Sequence, residues 1–315
     1  MQTTDPTANQ PRPVLEISGL TKQFGGLRAV GNFDLTVRQG ALDGLIGPNG
    51  ASKTTVFNMI SGLYAPTAGE VDFYGTPLVG MEPFEITQMG IGRTFQNIRL
   101  FPNLTVLNNV RIAYHPHAGY GLFDGLLRNS RFAAKEQEMI EKAQDFLAIF
   151  GLEKYQNEIA KNLPYGEQRR VEIALALASD PKLLLLDEPA AGMNPAEIGR
   201  LMELIHFVRD RFNLTILLIE HQMRLVMNIC ERITVMDFGE VIARGNPKEI
   251  QDNPQVIEAY LGRGAAGRQG INLLLGMVTR CGAARLVCAF RRSSCWTTRR
   301  AGTNWRRAST HSRSS

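Results

Sequence analysis

The sequence predicts an α/β fold in which a parallel-sheet core is joined to an antiparallel β subdomain and a helical subdomain. Three observations carry that expectation. The apolar runs Leu183–Leu186 and Thr215–Glu220 bracket an amphipathic segment of helix length, the strand, helix, strand order of a parallel sheet buried on both faces. The N-terminal segments Val14–Ile17, Phe33–Val37 and Val71–Tyr74 alternate apolar and polar residues and read as half-buried strands. Between these two regions, from Pro83 to about Lys161, the pattern turns helical, with Glu136, Ile140, Ala143, Phe146, Leu147 and Phe150 recurring at turn spacing.

The elements follow in order. Residues 1–13 are polar, with prolines at 6, 11 and 13, and read as a disordered leader. After the first strands, Leu42–Ile46 reads as a core strand that runs directly into a glycine loop. Asp43 puts a charge into that strand. Later in the chain a helix is expected over Val171–Ala178. Asn194 as cap and Pro195 at the first position start another, whose apolar face is Ile198, Leu201, Leu204, Ile205, Val208 and Phe212. Ile233–Met236 and Glu240–Ala243, separated by Asp237-Phe238-Gly239, read as a hairpin. A short helix ending at Tyr260-Leu261-Gly262 closes the ordered unit, so that one domain is expected over 14–262, with its helical subdomain at about 83–180.

Composition bounds the partners. The chain has 315 residues, of which 44% are hydrophobic, enough for a sizeable core. Its longest apolar runs, such as Leu214–Ile219, fall far short of the ~20 residues a membrane-spanning helix needs, and no charged-then-apolar leader opens it, so export is not expected. The formal charge of +5 misleads. Residues 263–315 hold eleven Arg and no Lys, Asp or Glu, and without them 24 basic residues face 30 acidic ones, a net −6. The body is mildly acidic, and no nucleic-acid partner is expected. Both tryptophans and three of the four cysteines also lie in that tail, leaving Cys230 in the body, which argues for a reducing compartment. The tail shows no convincing periodicity beyond Ile271–Val278, and reads as the product of read-through or a shifted frame rather than an RNA- or lipid-binding extension.

The chemistry is carried by two distant stretches. Gly47-Pro48-Asn49-Gly50-Ala51-Ser52-Lys53-Thr54-Thr55 nearly fits the pattern G-x-x-x-x-G-K-[ST], a loop whose backbone NH groups and following helix N-terminus cradle phosphates. Lys53 should neutralise the β and γ phosphates of ATP, and Thr54 should offer its hydroxyl to Mg²⁺. The pattern has glycine where this chain has Ser52, whose Cβ would lie near phosphate oxygens and ask for a backbone conformation that glycine tolerates better. Ser52→Gly is therefore expected to tighten ATP binding. In Leu183-Leu184-Leu185-Leu186-Asp187-Glu188-Pro189 a buried strand delivers two carboxylates at its C-terminal end, where α/β sheets put their ligands. Asp187 would hold Mg²⁺ or its water shell, and Glu188 would polarise the attacking water. Each motif has a plainer reading alone, a glycine turn or a strand ending in solvated acids, but together they make one nucleotide site.

With those motifs in place, the chain resembles an ATP-binding cassette (ABC) ATPase, a P-loop NTPase of ABC type whose parallel-sheet catalytic core carries the two subdomains. Leu163-Pro164-Tyr165-Gly166-Glu167-Gln168-Arg169-Arg170 is similar to the family's signature sequence. The resemblance implies that Tyr165, Gly166, Glu167 and Gln168 close over the γ phosphate bound by a second ATPase subunit, identical or related. Pro164 stands in the place of the usual serine and brings neither hydroxyl nor NH, which removes one contact across that interface. Gln96, in Arg93-Thr94-Phe95-Gln96-Asn97, matches the glutamine that contacts the metal and senses the membrane partner, so the metal set implied is Thr54, Gln96 and Asp187. His221, after Leu217-Leu218-Ile219-Glu220, resembles the switch histidine that contacts the γ phosphate and orients water, and Phe24 resembles the aromatic that stacks on adenine. Ala190-Ala191-Gly192-Met193-Asn194-Pro195 corresponds to the loop that touches the opposite subunit.

The resemblance runs from about Val14 to Gly262 and is closest to the ATP-binding subunits of branched-chain amino acid importers, through Lys22-Gln23-Phe24-Gly25-Gly26-Leu27, Gly121–Leu127 and Ala259-Tyr260-Leu261-Gly262. It implies an ATPase on the cytoplasmic face of the inner membrane, bound peripherally to transmembrane permease subunits and serving a solute-binding protein indirectly. Other readings are the same ATPase serving another cargo such as lipopolysaccharide export, a soluble ABC ATPase outside transport, and a regulatory subunit that scarcely hydrolyses.

Overall fold

In the computed structural model, residues 13–114 and 130–261 are described, with the side chains of residues 130–133 excepted. Residues 1–12 of the expected leader, the stretch Gly121–Leu127 and the Arg-rich tail lie outside the described residues, while Pro13, the last residue of that leader, already belongs to the first strand.

Two sheets form the frame. Strands β1 (Pro13–Phe24), β2 (Leu27–Arg38), β4 (Ala68–Phe73) and β5 (Thr76–Pro77) make an antiparallel sheet in the order β2-β1-β4-β5. The other sheet has the order β10-β9-β3-β8-β7-β6. Its strands β3 (Leu42–Ile46), β6 (Ile91–Arg93), β7 (Leu183–Asp187), β8 (Thr215–Ile219) and β9 (Arg232–Asp237) are parallel, and β10 (Glu240–Gly245) returns antiparallel to β9. Phe238 and Gly239, with φ of 45° and 81°, make the two-residue turn between β9 and β10, the geometry that suits the right-handed twist of the strands.

The central strands are buried at every position because both faces are covered, and they are apolar apart from Asp43, Thr215 and the strand-end Asp187. Leu184, Leu186, Ile216 and Leu218 face the core shared with the helices, while Leu183, Leu185, Leu217 and Ile219 face the core shared with the antiparallel sheet and helix α1 (Lys53–Ile60). Against the helical side pack α3 (Val106–Ala113), α4 (Ser130–Ile149), α5 (Tyr165–Leu177), α6 (Pro195–Phe212) and α7 (Met223–Ile229). Helix α6 begins as expected: the Asn194 side chain accepts from the amides of Ala196 and Glu197, Glu197 reaches back to the Asn194 amide, and Pro195 occupies the first turn. Two short helices, α8 (Pro247–Gln251) and α9 (Pro254–Leu261), follow β10.

Two local expectations change. The stretch from Pro83 opens with helix α2 (Pro83–Gln88), but the chain then returns to the sheet as β6, paired with Leu183–Leu185 of β7, before the larger helices begin. Three residues are too few for a strand period to register in the sequence. The helix expected from Val171 starts at Tyr165, so the signature residues form its first turn, with Pro164 in extended conformation as the cap. Proline is at ease there because the first amides of a helix lack intrahelical partners.

Candidate active site

The phosphate loop, Gln96, the two carboxylates and His221 each follow the C-terminal end of a parallel strand. Strand β3 ends at Ile46 and the chain turns through Gly47, Pro48, Asn49, Gly50, Ala51 and Ser52 into α1. Gly47 is required by space: a Cβ there would lie 2.1 Å from the Met236 carbonyl oxygen. Ser52 caps α1 with φ 68° and ψ 22°, the left-handed conformation that costs an L-residue and not glycine, and its side chain makes no cap hydrogen bond. Lys53 is buried, and its Nζ donates to the carbonyls of Gly47 at 2.8 Å and Pro48 at 3.1 Å. Burial pulls its pKa down, opposed by Glu188, Asp187 and Glu220, so the phosphate loop and the carboxylates share one electrostatic field although 134 residues separate Lys53 from Asp187. Thr54 is exposed and Thr55 half-buried at the start of α1.

Asp187 ends β7 with its residue 1% exposed. Its Oδ2 accepts from Arg93 at 3.2 Å, its amide donates to Thr94 Oγ1 at 3.3 Å, and its Oδ1 is buried without a hydrogen-bond partner. Burial pushes this carboxyl above the usual carboxylate range, and Arg93 opposes that. A buried carboxylate oxygen left unpaired beside Lys53 and Glu188 suits a hard divalent cation such as Mg²⁺, which prefers oxygen donors and keeps several waters. Among the described residues no group of three or more His, Cys, Asp or Glu gathers as an all-protein cage.

Glu188 stands beside it in a left-handed backbone, φ 46°, its amide held by the Ile219 carbonyl at 2.9 Å. That backbone turns the chain at the end of the strand. Its Oε2 accepts from Gln96 Nε2 at 3.0 Å and lies 3.6 Å from His221 Nδ1. His221 is exposed. The three residues read as catalytic in the sequence are thus neighbours, brought together from three separate loops.

The remaining expected residues make no direct contact with these catalytic groups among the hydrogen bonds and ion pairs of the described residues. Tyr165 is exposed, Gln168 Nε2 donates back to the Leu163 carbonyl at 2.8 Å, Glu167 pairs with Arg170 at 2.9 Å, and a Cβ on Gly166 would meet Glu197 at 3.4 Å. Phe24, at the end of β1, is exposed rather than a core residue. It meets Tyr64 edge to face at 5.5 Å with the Lys22 ammonium 5.1 Å above its ring, so the exposed platform has two rings.

Several organising residues have no assigned role in the sequence reading. Arg93 bonds Asp187 and, at 2.6 Å, Ser61 at the end of α1, and its guanidinium lies 4.9 Å from the Phe95 ring centre. Glu220 is fully buried and accepts from the amides of Ala190, His221 and Gln222, tying the loop after β8 to the loop after β7. A charge closing an apolar run was the available signal for Glu220. Arg93 had none, because an arginine entering a loop ordinarily faces solvent.

A phosphate loop entering a helix, two strand-end carboxylates and a glutamine and histidine meeting one of them define an ATPase domain of the P-loop class that binds ATP or ADP. Its family is equally plain. The family described as ABC transporter matches residues 30–191, and the one described as branched-chain amino acid ATP-binding cassette transporter matches residues 240–266. The high-affinity branched-chain amino acid transport ATP-binding protein LivG of Salmonella typhimurium is 47% identical over 251 residues, covering 80% of this chain and 98% of that protein. The crystal structure of the ADP conformation of MJ1267, an ATP-binding cassette of an ABC transporter, superposes with a TM-score of 0.70 at 30% identity over 80% of this chain and 100% of that one. The dimeric structure of a post-hydrolysis state of the cassette MJ0796, bound to ADP and Pi, has a TM-score of 0.63 at 26% identity over 74% of this chain and 98% of its own. The chain belongs to the ABC transporter family and is an ATPase.

Proposed function

We propose that the chain is the ATP-hydrolysing subunit of an importer of branched-chain amino acids, acting by ATP-driven closure of two ATPase subunits on a membrane permease. The observation that carries the enzymatic half is Glu188, whose carboxylate oxygen takes the Gln96 amide and lies beside His221 in the field of Lys53. The cargo rests on the likeness to LivG and on the branched-chain family at residues 240–266.

In this reading the loop Gly47 to Thr55, through its backbone NH groups other than at Pro48, and the α1 N-terminus hold the phosphates, Lys53 leaves its two loop carbonyls to bind them, and Phe24 takes the adenine. Thr54, Gln96 and Asp187 hold Mg²⁺, which when bound neutralises charge on the phosphates. Glu188 takes the proton of the attacking water, His221 orients it, and Gln96 holds Glu188 in position. Tyr165, Gly166, Glu167 and Gln168 meet the nucleotide of the partner subunit, as the dimeric post-hydrolysis cassette supports.

The ATPase unit spans 14–262, with the helical subdomain about 83–180 inside it and residues 1–13 and 263–315 outside. No helix among the described residues is long and apolar enough to cross a membrane. By its likeness to LivG the subunit works peripherally at the cytoplasmic face of the inner membrane, with permease subunits as anchor and a solute-binding protein acting from the far side.

Glu188→Gln tests the chemistry. ATPase activity should fall by about 10²–10⁴-fold, the worth of a positioned proton acceptor, while ATP still binds. Activity that does not depend on Glu188 refutes the assignment. Membrane partners captured with the full chain test the cargo: a permease that transports another substrate, lipopolysaccharide included, would replace the branched-chain reading and leave the ATPase untouched.

A further inference from the structure

One turn of helix α5 holds the Gln96 loop by its backbone. Arg169 is fully buried, and its Nη1 donates to the Phe95 carbonyl at 2.7 Å and to Glu172 Oε2 at 2.5 Å. Its Nη2 donates to the Gln96 carbonyl at 2.9 Å and to the Tyr165 hydroxyl at 3.2 Å. Glu172, 2% exposed, accepts on Oε1 from the amides of Phe95 at 3.3 Å and Arg99 at 3.2 Å. Four backbone groups of a loop more than 70 residues away in sequence are thus fixed by one buried ion pair. Removing two charges from water is expensive, so this pair is a poor source of stability on its own. What it supplies is a fixed geometry, because a guanidinium fork satisfied by several acceptors permits one orientation.

The hydrogen bonds run in series from Tyr165 in the first turn of α5 to Glu188 at the end of β7. Tyr165 meets Arg169, Arg169 holds the Gln96 backbone, and the Gln96 side chain bonds Glu188. We propose that Arg169 and Glu172 are positioning residues that couple the two nucleotide sites of the dimer. Contact of Tyr165 with the partner's nucleotide shifts the first turn of α5, and Arg169 carries that shift to Gln96 and so to the Glu188 of its own site. This rests on the dimer reading under Proposed function and adds to it the route by which one site senses the other.

The test is the ATP dependence of hydrolysis by the full chain together with the membrane subunits that copurify with it. The wild type should show a Hill coefficient above 1. The double variant Arg169→Met, Glu172→Leu replaces the pair with apolar side chains of similar volume and frees the loop from it, and because four backbone groups lose their partners its folding is checked first by thermal unfolding. It should hydrolyse ATP roughly 10-fold more slowly, within the range typical of lost coupling energies, with a Hill coefficient of about 1. A purely structural role would lower the active fraction and leave the Hill coefficient at the wild-type value, and that result overturns the proposal. Should the double variant not fold, Arg169→Lys serves, since lysine keeps a charge beside Glu172 but not the fork, and an unchanged Hill coefficient there overturns it too. ATP-dependent dimerisation of Glu188→Gln separates the two readings. A dimer without wild-type cooperativity refutes the coupling alone, and failure to dimerise refutes the dimer reading and the coupling with it.

Discussion

Asp43 gives the sharpest quantitative expectation. It lies in β3, 5% exposed, with its Oδ1 buried and without a hydrogen-bond partner, beside a cavity of 310 Å³ whose wall includes Arg38, Arg232 and Arg244. Burial pushes its pKa from 3.8 to about 6, with Arg232 and Arg38 opposing and Glu231 adding to the rise. A carboxyl whose pKa is raised on folding binds its proton more tightly in the native state, so its favourable contribution is present below pH 3.8 and is lost as pH rises through 6. Linkage sets the penalty of the ionised form at about 1.6 kcal/mol at pH 5 and about 3 kcal/mol at pH 8. Asp43→Asn keeps the shape and removes the titration. It should therefore stabilise the protein by about 3 kcal/mol at pH 8, roughly 6–12 °C in melting temperature for a domain of this size, and by about half as much at pH 5. Denaturant unfolding of both proteins across pH 5–8, with unchanged m-values, measures it. A difference in stability that stays flat across that range would refute the reasoning, because only the Asp43 proton makes it pH-dependent.

Ser52→Gly relieves the left-handed strain, about 1–2 kcal/mol, less about 0.5–1 kcal/mol for the greater freedom of an unfolded glycine. The melting temperature should rise by about 1–3 °C. Because serine already adopts the left-handed backbone at this position, ATP affinity should tighten by less than about three-fold; a fluorescence titration checks it. Arg93→Met leaves both carboxylate oxygens of Asp187 unpaired and buried, and should cost about 3–5 kcal/mol in thermal unfolding at pH 8. The loss should shrink as pH falls, because burial already pushes the Asp187 carboxyl above the usual carboxylate range and a proton relieves the unpaired charge.

The parts of this protein that depend on local order were legible in the chain. Continuous apolar runs marked strands buried on both faces, Asn194 and Pro195 marked a helix start, and the glycine loop with Lys53 and the strand-end pair Asp187 and Glu188 marked a site for a triphosphate, because each of these is set by neighbouring residues. Strand β6 was missed for the same reason: three residues hold too little pattern, and only the edge of β7 makes them a strand. Arg93 with Asp187, and Arg169 with Glu172 and the Gln96 backbone, were decided by tertiary structure alone. A charged side chain carries no mark of its destination, and whether it faces water or a buried carboxylate is settled only when segments some 70 to 95 residues apart pack together and exclude the solvent between them.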